Sequence, residues 1–257
     1  LTSALMLATV AAGTYPMLAG IHPRKAPPFV LDLRDADLSH TPLRGKDLRF
    51  AAGGKAKLIG SDLRDSDLSG ADFQRAILAG ADLESAHLHG TDLDSADFVN
   101  ACLRKTIMRD ADMEDVSFRH AYLGRADLRS RLLTRADFAF ANLNGADLRG
   151  ANLAGANFQG ASLRCFVSHK LDPSPQIDCA NFEGAVLRDA RFEGADLQHA
   201  VGLTQAQLSE ACGDAETRLP EGFRLPACPP RAEASPQDKP EADNPCVHEI
   251  KDDRWPQ

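Results

Sequence analysis

Residues 121–165, broken into fives, read AYLGR ADLRS RLLTR ADFAF ANLNG ADLRG ANLAG ANFQG ASLRC. The third place of each five is Leu or Phe, and the first is Ala everywhere except Arg131. Read backwards, the register holds without a slip to Leu31, giving 27 consecutive fives. Leu, Phe or Met stands at third place in 26 of them, with Gly53 the exception; first place is Ala in 18 and Ser, Thr or Val in six. After an interruption at 166–179 four more fives follow, ANFEG, AVLRD, ARFEG and ADLQH.

A period of five matches neither the 3.6 residues of a helical turn nor the two of a flat strand. On an α-helix positions 33, 38, 43 and 48 spread around the circumference, and no apolar face forms. A chain that turns a corner every five residues does better. With four fives per square coil, first and third places point inward and the second, fourth and fifth face solvent. Ala suits first place because the interior is narrow, and Leu or Phe at third place fills the centre. Phe98, Phe118, Phe138 and Phe158 recur every 20 residues and therefore stack on one side as a core ladder, with Phe73 one side out of that column. Eleven of the 19 glycines occupy fifth place, where the chain turns. A single coil cannot bury enough to stand alone, so stability is shared between stacked neighbours and the ends need caps. About eight coils at ~4.8 Å make a rod on the order of 38 Å long.

The repeated A(D/N)LXX pattern resembles the pentapeptide repeat family over roughly residues 31–199. The resemblance implies an all-β solenoid, a right-handed quadrilateral β-helix. It implies no enzyme activity, because the family is a scaffold type. Several members mimic duplex DNA and bind type II topoisomerases such as gyrase.

Around the solenoid the chain divides further. Residues 1–22 are apolar, and 1–21 (LTSALMLATVAAGTYPMLAGI) carry no charge. Three readings compete for this segment: a transmembrane anchor, a signal peptide ending at Val10-Ala11-Ala12, and an N-terminal helix on the end of the rod. Residues 31–165 form the main solenoid, 166–179 an inserted loop with Pro173 and Pro175, and 180–199 the last coil. Residues 200–225 form a C-terminal cap, with a capping box at Thr204 and Gln207 and an apolar stripe of Leu203, Leu208 and Ala211. Residues 226–257, with seven prolines, read as a flexible tail.

Three local departures need a reading. Lys46 and Arg131 stand at first place, where a bulge that swings them outward is favoured over an internal ion pair. Ala51–Lys55 lacks a central apolar residue and reads either as a side or as a loop. Among six cysteines, Cys165 with Cys179 and Cys212 with Cys228 bracket loops and are candidate disulfides, as expected in an oxidising compartment; Cys102 and Cys246 have no evident partner. The competing reading is reduced surface thiols. Arg24 and Lys25 after the apolar run argue for a cytoplasmic rod, against the cysteines.

The net charge of −8 is unevenly placed, with 18 basic and 20 acidic groups over 31–165 and six against 11 over 200–257. The rod is near neutral and carries no basic nucleic-acid footprint, so direct nucleic-acid binding is not expected. No phosphate-cradling GxxxxGK, GxSxG or HExxH motif occurs, and no catalytic, cofactor or metal-binding residues are nominated. His87 and His89 form an HxH near Asp67 and Asp92, read as solvated imidazoles. Arg109, Arg129 and Arg149 recur every 20 residues at fourth place and form the candidate interaction face, with Asp127 and Asp147 as counter-charges. The resulting expectation is a non-enzymatic protein-interaction scaffold, exported or membrane-linked through 1–21. The alternative, a DNA-mimicking gyrase-binding protein, is disfavoured by the neutral rod.

Overall fold

The computed structural model describes residues 31–167, 177–230 and 246. The apolar segment 1–22 lies outside them, as does the tail beyond 230 apart from Cys246.

Each second-place residue pairs in parallel with the residue 20 positions on, as in Asp32↔Ala52, Asp37↔Lys57, Pro42↔Asp62 and Asp47↔Asp67. Four such pairs close one coil, which establishes the four-sided plan. The hydrogen bonds repeat with it. The Leu33 N–H donates to the Ala52 carbonyl at 2.7 Å, and the Ala52 N–H donates back to the Leu31 carbonyl at 2.9 Å. The corner is closed by Ala36 N–H donating to Leu33 C=O at 3.0 Å.

Corner residues adopt positive φ whether or not they are glycine: Gly150 sits at +65°, Asp110 at +56° and Phe140 at +59°. Glycine is preferred there because a Cβ costs about 1–2 kcal/mol in this conformation. At some corners it is also required by a neighbour. A Cβ on Gly160 would lie 2.6 Å from Phe140, and one on Gly70 would lie 2.6 Å from Phe50, because rings at fifth place fold over the next coil.

The core follows the inward pattern. Leu, Phe and Met at third place are buried from Leu33 to Leu197, and Ala at first place from Ala51 on, Ala36 of the first coil being half-buried. The Phe98, Phe118, Phe138 and Phe158 rings stack at 5.3, 5.2 and 4.9 Å. Phe192 extends the stack at 4.8 Å from Phe158. Sequence spacing hides this fifth ring because the insertion displaces it by 14 residues; the bridges Asp147↔Asn181 and Asn157↔Arg191 skip the insertion and preserve phase.

Ala51–Lys55 is a regular side and not a loop. Ala52 pairs with both Asp32 and Asp72, and Gly53 N–H donates to Asp72 C=O at 2.6 Å. Gly53 lacks a side chain because the Phe73 ring of the next coil fills that space. The bulges expected at Lys46 and Arg131 are likewise not found. Pairing continues at Asp47↔Asp67 and at Asp112↔Leu132↔Asn152. Lys46 is simply exposed near the first coil. Arg131 lies folded against the surface, donating from Nε to Arg129 C=O at 2.7 Å and approaching Asp110 at 3.4 Å.

The insertion leaves as a hairpin. Strand β1 (Cys165–Val167) pairs antiparallel with β2 (Ile177–Cys179), and a Cys165–Cys179 disulfide closes its base. At the C-terminal end, helix α1 (Gln205–Ser209) begins with the Thr204–Gln207 capping box and buries Leu208. The Gln207 amide donates to the carbonyls of Phe182 and Ala185, at 3.0 and 2.8 Å, so a side chain satisfies open ladder groups of the last coil. Beyond it Arg191↔Cys212, Asp196↔Arg218 and Gly213↔Ala227 continue the pairing, and Cys212–Cys228 staples this segment. Among the described residues no helix is long and apolar enough to cross a membrane.

Candidate functional site

The lateral surfaces are built by second, fourth and fifth places. Asp or Asn at second place serves the backbone first: its Oδ1 accepts the N–H two residues on, as in Asp62 to Arg64 at 3.2 Å and Asn152 to Ala154 at 3.2 Å. This Asx turn is the physical content of the D/N preference. Where Arg follows at fourth place, the same carboxylate also accepts a guanidinium fork, so charge pairing comes within single fives.

Arg109, Arg129 and Arg149 do share one side. Arg129 grips Asp127 at 2.8 and 2.7 Å and lies 3.4 Å from Asp147. Arg149 grips Asp147 at 2.8 and 2.6 Å, and Arg109 donates to Asp127 at 3.3 Å. The column therefore alternates in sign and compensates itself. The Arg129 fork, helped by the Arg129 N–H and by Arg109, holds the Asp127 carboxyl down at about 2 despite partial burial. A shallow depression of about 430 Å³ lies here, lined by Arg109, Asp127, Arg129, Arg131 and Arg149.

The opposite balance appears where the sides 71–75, 91–95 and 111–115 stack. They carry Asp72, Asp92, Asp94, Asp112, Glu114 and Asp115 against Arg75 alone. Arg135 from the next coil forks onto Asp115 at 2.6 Å. Asp92 is pushed upward by burial and by the like charges of Asp94 and Asp72, partly offset by a hydrogen bond from Gln74. A whole-rod count misses this segregation, since it appears only when fives are sorted by side.

His87 and His89 are exposed, and His89 faces Asp110 at 3.5 Å. Among the described residues no group of three metal-ligating side chains assembles. All six cysteines are paired. Beside the two expected disulfides, Cys102 bonds Cys246, correcting their reading as partnerless. The two lie 144 residues apart, so no local spacing signals the pair.

These features define a four-sided β-solenoid whose lateral faces present sorted charge. Pentapeptide repeat models match residues 32–70, 54–90, 71–110, 96–130, 132–164 and 177–212, and the chain belongs to the pentapeptide repeat family. No curated protein matches it significantly. Among solved structures it is similar to HetL, a pentapeptide repeat protein involved in heterocyst differentiation regulation in the cyanobacterium Nostoc sp. strain PCC 7120. That match has 27% identity and a TM-score of 0.38, covering 77% of this chain and 86% of HetL. It is also similar to QnrB1, a plasmid-mediated fluoroquinolone resistance protein, at 15% identity and a TM-score of 0.37, covering 76% and 89%. A pentapeptide repeat protein of the Arabidopsis thaliana thylakoid lumen matches at 29% identity and a TM-score of 0.21, covering 41% and 67%.

Proposed function

We propose that this protein is a non-enzymatic scaffold whose lateral faces bind protein partners, and that it works in an oxidising, extracytoplasmic compartment. In this reading the coils wind right-handed, as the family resemblance implies, and α1 closes the C-terminal end. The acidic sides 71–75, 91–95 and 111–115 carry the argument for a partner: six carboxylates face Arg75 within these sides and Arg135 from the next coil, a net negative field suited to a basic protein surface. Pairing of all six cysteines supports the compartment. Residues 1–21 would deliver the protein there as an export signal or hold it at a membrane; a rod on the cytoplasmic side of a membrane is the alternative. Fractionation with thiol labelling tests this, and free thiols on a cytosolic protein overturn it. Capture of basic partners by the intact rod, lost when Asp92, Asp94, Asp112 and Glu114 are neutralised together, tests the face.

The acidic side also favours a second reading, a DNA-mimicking gyrase-binding protein, more than the near-neutral total allows. The long neutral remainder of the rod weighs against it. Protection or inhibition in a gyrase supercoiling assay at micromolar rod would reverse the order.

A further inference from the structure

Three stacked sides, 56–60, 76–80 and 96–100, depart from the polar outward pattern. They carry Ile59, Ala79 and Val99 at fourth place and Ile77 at second, held in register by Lys57↔Ile77↔Asp97. At the same three rungs the fourth places of the other sides are polar or charged, apart from Gly54. Ile59 is 37% exposed, and Ile77, Ala79 and Val99 are half-buried. The adjoining corner is open as well, since a Cβ on Gly80 would meet nothing within 4 Å.

Ile77 also gives up a hydrogen bond. One rung on, the Asp97 side chain accepts the Val99 N–H at 3.0 Å, and two rungs back Asp37 accepts the Ser39 N–H at 3.2 Å. An isoleucine offers the Ala79 N–H no such acceptor, so apolar contact at this place replaces the turn bond.

The three sides hold one charge of each sign, Lys57 a rung before Ile77 and Asp97 a rung after it. Among the described residues neither belongs to an ion pair. The Asp37 carboxyl, next to Lys57 in the column, is held down chiefly by its hydrogen bonds from Ser39, with Lys57 a lesser influence.

This pattern is complementary to itself. A two-fold axis along the strand direction, through Ile77 and Ala79, reverses the order of rungs and lays a second copy antiparallel on the face. Lys57 then meets Asp97 of the second copy, Asp97 meets its Lys57, Ile59 meets its Val99, and Ile77 meets its Ile77. Parallel rods would set the second-place column against the fourth, leaving Lys57 opposite Ile59 and Asp97 opposite Val99. Charge therefore selects the antiparallel arrangement.

We propose that this face joins two copies of the chain in a reversible antiparallel dimer. Burial of the isoleucine and valine side chains supplies the attraction, and the two crossed Lys57–Asp97 pairs fix orientation and register. Three rungs span only about 10 Å at the inter-strand spacing, short of the area a permanent assembly buries, so dimerisation follows concentration. A strongly acidic or basic partner fits this face poorly, because it carries both signs one rung from its centre. The inference is independent of which partner the acidic sides take, since those lie on the adjoining side of the rod.

Sedimentation velocity of the full chain tests it. Wild type is expected to pass from monomer to dimer over about 1–200 µM, the range of a small reversible interface. Ile77→Asp sets two carboxylates together on the axis while supplying the residue most common at second place in this chain. It should remain folded by circular dichroism and dimerise at least about ten-fold more weakly. Lys57→Asp and Asp97→Lys should each weaken the dimer by a similar factor, because each sets like charges opposite one another. An equimolar mixture of those two variants should dimerise as wild type does, every pair again joining opposite signs. A wild type that stays monomeric, which would leave the face to another partner, a dimer indifferent to Ile77→Asp, or a mixture no more dimeric than its components would each overturn the proposal.

Discussion

Replacing Gly53 tests the side-by-side stacking directly. Its φ is not in the left-handed region, so the backbone accepts alanine without strain; the obstacle is the Phe73 ring, which occupies the position a Cβ would take. Both positions are enclosed, Phe73 fully, in a core without room to shift. Gly53→Ala therefore forces the ring aside, at a cost of about 1–3 kcal/mol for overpacking. Phe73→Leu alone removes ring atoms whose space cannot collapse, costing about 1–2 kcal/mol. Together the changes compensate, because leucine at 73 restores the third-place residue most common in this chain and frees the volume that the new methyl group at 53 needs. The double variant is expected to be more stable than Gly53→Ala alone, with a favourable coupling of about 0.5–3 kcal/mol between the sites. Urea unfolding followed by circular dichroism, comparing midpoints and slopes across the four proteins, measures it. Strict additivity would show that 53 and 73 do not share one space and would refute the register of these coils.

Other outcomes follow from the same structure. Phe118→Asp places a carboxylate at the middle of a stacked ring column and should cost several kcal/mol, enough to abolish the cooperative melt; an unchanged melting temperature contradicts the inward assignment. Asp127 is held at about 2, below its ordinary value of 3.8, so its pairing stabilises the fold above about pH 4 and is lost as pH falls toward 2. Melting followed from pH 5 to 2 should therefore drop less in Asp127→Asn than in wild type. Asp92 is shifted the other way, its charged form being disfavoured in the fold. Asp92→Asn keeps the acceptor for Asp94 N–H, and with the Gln74 amide turned to present its oxygen to the new amide it should stabilise at pH 7, the gain shrinking as acid protonates wild type. A destabilised variant at pH 7 would mean that the acidic side is not repulsive.

Much of this architecture is legible in the residues because a five-residue period admits few solutions. Gly53 shows where that legibility stops. As a missing third-place side chain it suggests a loop, and only the ring from the next coil reveals a filled side. Phe192 is hidden for a related reason: the insertion changes chain distance without changing stacking. The Asx role of second-place Asp and Asn is readable in principle from its recurrence two residues before the fourth-place N–H, although the outward face alone does not demand it.

The sequence by itself determined the four-sided plan, the narrow Ala and Leu interior, the Phe ladder and the recurrence of arginine and aspartate on one side, and it marked Cys165/Cys179 and Cys212/Cys228 as candidate pairs that the structure then joined. All of these repeat at fixed short intervals or bracket short loops, and local spacing transmits geometry along a chain. The tertiary structure alone decided what repeats cannot encode: the Cys102–Cys246 bond, the Phe73 ring filling the place left open at Gly53, and the return of Phe192 to the ring stack across the insertion. Those depend on which distant residues meet after the coil has wound, and contact between segments 144 residues apart leaves no period to read.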